Sequence, residues 1–174
     1  MLSKINVLDI VRDHFLTLRK YQSDRWSAED FILFVGVPLA VAVAMLYFGL
    51  VVSKAAVDVL FTGLSIFAGL LFNLLVMAHG IIRSTVDAPR YEDEKRLLRE
   101  LYSNISYSIL IAIVMLGVLL IRYVTAEPRV LYAISFATYF LIGNFLLTLL
   151  MILKRIHVVL RQEFEPDLTG RTLR

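Results

Sequence analysis

Four apolar stretches, each long enough to cross a lipid bilayer, constrain the fold of this 174-residue chain more than any other feature. They cover residues 31–52, 55–82, 105–124 and 130–153. A helix of 20 residues rises by about 1.5 Å per residue, so each stretch reaches roughly 30 Å, the thickness of the hydrocarbon layer. Lipid offers no water to an exposed backbone, so such stretches must be helical. The sequence therefore predicts an all-α integral membrane protein.

The short connections between these stretches predict a four-helix bundle built from two antiparallel helical hairpins. The first two spans are separated only by residues 53–54, and the last two by residues 125–129. The predicted organisation has three parts, an amphipathic N-terminal arm (1–26), a four-span transmembrane domain (27–155) that includes a cytoplasmic helix (89–104), and a cytoplasmic tail (156–174).

The N-terminal arm has a helical pattern of apolar residues in steps of three and four. These residues are Ile5, Leu8, Val11, Phe15 and Leu18. The pattern predicts an amphipathic helix that buries this face, either on the inner leaflet or under the bundle.

The distribution of positive charge predicts the topology. Of the 18 lysines and arginines, five lie in the arm, five between the second and third spans, and five after the end of the fourth span at residue 153. By the positive-inside rule, these three regions face the cytoplasm and both termini are cytoplasmic. A contact with nucleic acid or a nucleotide is the alternative explanation of the basic excess, and the sequence has no DNA-binding motif.

Nothing in the sequence indicates an enzyme. The chain contains no cysteine, and its three histidines, His14, His79 and His157, have no metal-ligand spacing. No nucleophile, metal or phosphate-binding motif is present, and no span has an acidic residue at its centre, as a coupled transporter usually requires. We therefore expect no enzymatic activity, no metal and no cofactor.

Two faces of small residues predict helix contacts, because small side chains let helix backbones approach closely. Span one carries Gly36, Ala40 and Ala44, and span two carries Ser65, Gly69 and Asn73, each set in steps of four. The expected result is a homo-oligomer in membrane lipid.

The asparagines Asn73 and Asn144 are the polar residues predicted to lie deepest in the membrane. Each lies 10 residues before a cationic residue at the inner end of its span, which is roughly 15 Å of helix. They could either form interhelical hydrogen bonds or line a pore between copies. His79 and Arg83, at the inner end of span two, are candidates for a cytoplasmic gate, although His79 also suits an ordinary interfacial position. A shift of 71 residues superimposes Asn73 on Asn144, which suggests two similar halves.

The arrangement of spans along the whole chain resembles that of small four-span membrane components of bacterial anti-phage systems such as Hailong and Kiwa. The resemblance implies a protein of the bacterial inner membrane that acts with a cytoplasmic partner, in some cases as a pore that damages the infected cell. Two functions follow from the sequence. One is an oligomeric channel or pore-type effector gated by a cytoplasmic ligand, protein or nucleotide. The other is a non-conducting adaptor that anchors or senses for a cytoplasmic partner.

Overall fold

The computed structural model describes residues 7–17, 32–84 and 92–164, and every regular element in these ranges is helical. The elements are α1 (Val7–Thr17), a π-helical segment (Ile32–Gly36), α2 (Val37–Tyr47), α3 (Lys54–Ser84), α4 (Glu92–Val124) and α5 (Pro128–Phe164). The prediction of an all-α chain is confirmed for these residues.

Three helices, α3, α4 and α5, are long and apolar enough to cross a membrane. The first predicted span is shorter than expected, since its apolar helix covers only Ile32–Tyr47. Sixteen residues rise by about 24 Å, less than the roughly 30 Å of a hydrocarbon layer. The described residues therefore contain three helices that are long and apolar enough to cross a membrane and one shorter apolar helix, and the fourth full-length span stays a prediction.

A glycine ends α2 before the apolar sequence ends. Gly49 has a φ of 71°, in the left-handed region that glycine adopts without steric cost. Its N–H donates to the carbonyl of Leu46 (2.9 Å), and the N–H of Leu50 donates to the carbonyl of Met45 (3.0 Å). These two bonds form a Schellman motif, which satisfies the last carbonyls of a helix and turns the chain away from its axis.

The helices pack in the order α2, α5, α4, α3, and α1 lies against α4. The second predicted hairpin, α4 with α5, is formed, whereas α2 and α3 make no contact among the described residues. The prediction of a first hairpin was therefore wrong. The connection between α2 and α3 is instead fixed to α4 and α5, because Val52 donates its N–H to Ser135 Oγ (3.0 Å) and accepts a bond from Arg122 Nε (3.3 Å).

The contact between α2 and α5 is close because α5 has a glycine at the crossing. A Cβ atom built on Gly143 would lie 3.0 Å from Cβ and 3.3 Å from Cα of the buried Pro38. Such a contact is tighter than most Cβ contacts in proteins, so a side chain at this position would require Pro38 to move by a few tenths of an ångström. The glycine thus allows the two helices to cross at close range.

The order of the helices leaves α4 central and α3 peripheral. In the most apolar 18-residue window of each helix, 44% of residues are buried in α4 but only 11% in α3. The core residues of α4, among them Ile105, Met115 and Leu119, are fully buried. Most of the surface of α3 consequently remains available to lipid or to another copy of the chain.

Candidate functional site

The first candidate site is formed where α1 docks against α4, at what we call the α1 end of the bundle. The buried face of α1 is centred on His14, which is only 1% exposed, whereas Leu8 is 77% exposed. Of the two predicted positions for the apolar face of α1, packing under the bundle holds for Val11, which lies against the core, but not for Leu8, which contacts little of the chain. The face that contains His14 is buried because α4 provides polar and aromatic side chains that contact it.

Aromatic rings enclose the imidazole of His14. It stacks on Tyr107 of α4, with ring centroids 3.7 Å apart and planes inclined by 7°. The rings of Phe15 and Phe34 approach it edge-on, at centroid distances of 5.6 and 5.8 Å. Phe34 belongs to the π-helical segment, so this cluster joins α1, the start of the first apolar helix and α4.

A polar contact fixes the orientation of the ring. His14 Nδ1 lies 2.9 Å from Asn104 Oδ1, and the Thr17 hydroxyl lies 2.7 Å from the His14 carbonyl and 3.1 Å from the same Asn104 oxygen. Thr17 has one proton for two acceptors, and Asn104 Nδ2 is buried without a partner. More of these groups are satisfied if the side-chain amide of Asn104 is turned by 180°. Nδ2 then donates to His14 Nδ1 and to the Thr17 hydroxyl, and the ring proton of His14 is on Nε2.

The surroundings of His14 keep its ring neutral. Burial lowers the pKa of His14 from 6.5 to about 4, and the positive charge of Arg155 acts in the same direction. The imidazole is therefore uncharged at neutral pH and behaves as a packed aromatic ring. Its protonation would place an unpaired charge in the cluster.

A groove of about 590 Å³ lies beside this cluster, between α1 and α4. It is lined by Ile10, Asp13, Leu16, Thr17, Arg99, Glu100, Tyr102, Ser103 and Ser106. On one wall Glu100 forms an ion pair with Arg155 of α5. That pair links α4 to α5 beside the groove.

The second candidate site is a polar stripe on α3, composed of Asp58, Thr62, Ser65, Gly69 and Asn73, all of them exposed. At 100° per residue these positions fall within about 80° of the helix circumference. The buried side of the same helix, with Leu64 and Leu71, is centred about 150° away. The stripe from Thr62 to Asn73 thus faces away from the buried side of α3, whereas Asp58 at its start contacts Tyr123 of α4.

The groups of the stripe differ in how their hydrogen bonds are satisfied. Thr62 and Ser65 donate to carbonyls of their own helix, at 2.9 and 2.8 Å, and Asp58 accepts a hydrogen bond from the Tyr123 hydroxyl. The amide of Asn73 makes no hydrogen bond within the described part of the chain. It is the one group of the stripe whose position demands water or a partner.

The two deep asparagines have different environments. Asn144 is buried and donates from Nδ2 to the Phe140 carbonyl of its own helix (3.2 Å), whereas Asn73 is exposed. The two halves suggested by the shift of 71 residues are thus not equivalent at this point. No interhelical bond from Asn144 is present among the described residues.

The remaining predicted site residues make few contacts within the chain. Ala40 and Ala44 are exposed and Gly36 is half-buried, because α2 packs on α5 through the other side that carries Pro38 and Ala42. His79 is exposed, and the side chain of Arg83 lies outside the described residues. The role of these residues in an oligomer or a gate stays a prediction.

Sequence reasoning missed His14, Asn104 and Tyr107, which together hold α1. A usable sign was present in the spacing of Asn104, Tyr107 and Ser108, since residues three and four apart share a face of a helix. A polar face at the start of a span requires a protein partner. Only the tertiary structure shows that His14 is this partner.

No protein-family model, curated protein or solved structure matches this chain. The resemblance to Hailong and Kiwa components therefore stays a prediction.

Proposed function

We propose that the chain forms a homo-oligomeric channel in a membrane, with the polar stripe of α3 along the water-filled pathway. The observation that carries the proposal is the stripe itself, which runs along the face of α3 that the chain leaves uncovered. Asn73 is its key residue, about 15 Å of helix from the inner end of α3. An amide in hydrocarbon without a hydrogen bond costs a few kcal/mol. Water in a pathway removes that cost.

Several copies are needed for conduction in this arrangement. The interior of the single chain is filled by the side chains of α4 and α5, and the order α2, α5, α4, α3 leaves α3 at one edge. Cyclic assembly of copies would bring α3 helices around a common axis. Gly69, where an added Cβ would meet nothing within 4 Å, lets neighbouring backbones approach there.

The docked helix α1 is the element suited to receive a regulatory signal. It contacts the inner half of α4 through one cluster around His14, and α4 in turn packs on α3. A ligand or partner that displaces α1 would remove support from α4 beside the pathway. Gating from the cytoplasmic side then follows from the predicted topology.

Flux measurement on purified protein in liposomes tests this proposal. Asn73→Leu should reduce ion flux or alter ion preference while the oligomer stays intact. The matched control is Leu70→Ala, one turn away on the same helix, 60% exposed but outside the stripe. Asn144→Leu provides a second comparison, because this buried residue should affect stability rather than ion preference.

Unchanged flux in a correctly assembled Asn73→Leu protein would contradict the placement of the pathway. An absence of flux in the unmodified protein, with and without α1, would contradict conduction itself. The non-conducting adaptor would then be the better explanation of the docked arm.

A further inference from the structure

The groove between α1 and α4 is lined by two opposite charges that form no ion pair with each other. Asp13 projects from α1 and Arg99 from α4, and both line the groove. Both are exposed, and neither forms an ion pair within the part of the chain that the structure describes. The third charged residue of the lining, Glu100, is already bound to Arg155.

These two unpaired charges determine which ligands the groove can bind favourably. A simple anion would be attracted by Arg99 and repelled by Asp13, and a simple cation would experience the reverse. A ligand with one positive and one negative group can satisfy both walls, with an arginine–phosphate contact on one side and an ammonium–carboxylate contact on the other. The charges of the groove therefore favour a zwitterion.

The position of the groove favours a phospholipid as the source of that zwitterion. Arg99 is two residues into the apolar span Leu97–Val124, and the groove also contains Tyr102, an aromatic residue of the type enriched at membrane interfaces. The exposed apolar residues Ile113 and Val114 continue along α4 toward the membrane centre, where acyl chains lie. A free metabolite without acyl chains would make no contact with Ile113 and Val114.

We propose that the groove binds the headgroup of a phosphoethanolamine lipid, with the phosphate at Arg99 and the ammonium at Asp13. A primary ammonium donates hydrogen bonds to a carboxylate, which a quaternary choline group cannot do. Choline recognition usually requires several aromatic rings, and Tyr102 is the single aromatic residue among those that line the groove. This inference concerns lipid binding and goes beyond conduction, so it can be tested without any flux measurement.

The test is native mass spectrometry of the full-length protein, released from detergent with phosphatidylethanolamine, phosphatidylglycerol or phosphatidylcholine added at equal concentration. The unmodified protein should retain phosphatidylethanolamine in preference to the other two lipids. Arg99→Gln should lower this retention about tenfold, the usual effect of losing one charge-assisted contact. Asp13→Asn should abolish the preference for phosphatidylethanolamine over phosphatidylglycerol, because the repulsion of a simple anion is removed.

The matched controls are Arg129→Gln and Glu127→Gln, exposed residues at the opposite end of the bundle, and neither should change the lipid preference. Equal retention of all three lipids by the unmodified protein, or equal effects of control and groove variants, would overturn the proposal. Glycerophosphoethanolamine, which lacks acyl chains, should fail to displace the lipid at equal concentration. Complete displacement would show that the groove takes a soluble zwitterion instead of a lipid.

Discussion

The imidazole of His14 lies flat on the ring of Tyr107, with centroids 3.7 Å apart, and this contact attaches the N-terminal helix to the third apolar span. The stack is possible because His14 is neutral when docked, with its pKa lowered to about 4 by burial. An uncharged imidazole behaves as an aromatic ring, and an imidazolium in the same place would lack a counter-ion. Docking of α1 is therefore coupled to a proton.

We expect α1 to undock as the pH falls. The pKa of His14 is about 4 when docked and 6.5 when released, so the released state binds the proton more readily. Docking is fully favourable above pH 6.5 and weakens as the pH falls toward 4, by up to about 3 kcal/mol. Spin labels on cysteines at Leu8 and His157, both exposed, should move apart across this range. The measurement is direct, because the chain has no cysteine of its own.

Two variants show whether His14 is the titrating group. His14→Phe keeps a flat ring on Tyr107 but cannot titrate, so the distance between the labels should become independent of pH. His79→Phe removes an exposed histidine and should leave the response unchanged. A pH response that persists in His14→Phe would assign the proton to another group.

The crossing of α2 and α5 should not tolerate a side chain at Gly143. In Gly143→Ala the new Cβ would lie 3.0 Å from Cβ of Pro38, so the helices must separate or shift. Overpacking of this kind costs about 1–3 kcal/mol. The matched control is Gly117→Ala on α4, where a Cβ meets nothing within 4 Å and helix propensity improves. Denaturant midpoints in detergent should fall for the first variant and not for the second.

The sequence predicts α3, α4 and α5 well, because length and apolar content decide whether a segment can cross lipid. It predicts the end of α2 poorly, since Gly49 lies inside an apolar run and hydropathy continues past it to Val52. The stop depends on the left-handed backbone of one residue and on two backbone hydrogen bonds. Such a local motif has no effect on average hydropathy.

It is harder to predict which helices pack together and which face of each helix is buried, because several surfaces of the chain compete for the same contacts. A short turn at 53–54 suggested that α2 and α3 would pair, but the bonds of Val52 to Ser135 and Arg122 hold this connection on other helices. In α1, Leu8 is more apolar than His14, yet His14 is buried. The free energy of the specific contacts with Asn104 and Tyr107 decides the face.

Single cysteines can test the membrane topology that the positive-inside rule predicts. Cysteines at Lys54 and Arg129 should react with an impermeant thiol reagent in intact cells. A cysteine at Lys154, exposed at the α1 end, should react only after the membrane is opened. Labelling in the reverse order would place the termini outside and would overturn the cytoplasmic position of α1.

The most direct test of the central claim is thiol modification along α3 during flux recording. Single cysteines at Ser65, Gly69 and Asn73 should react with a charged, water-soluble reagent and block flux. A cysteine at Leu70, exposed on α3 outside the stripe, should leave flux unchanged because this position is expected to face lipid. Block confined to the stripe is the result that a pathway along this face predicts. Block at Leu70 with none at the stripe would contradict it.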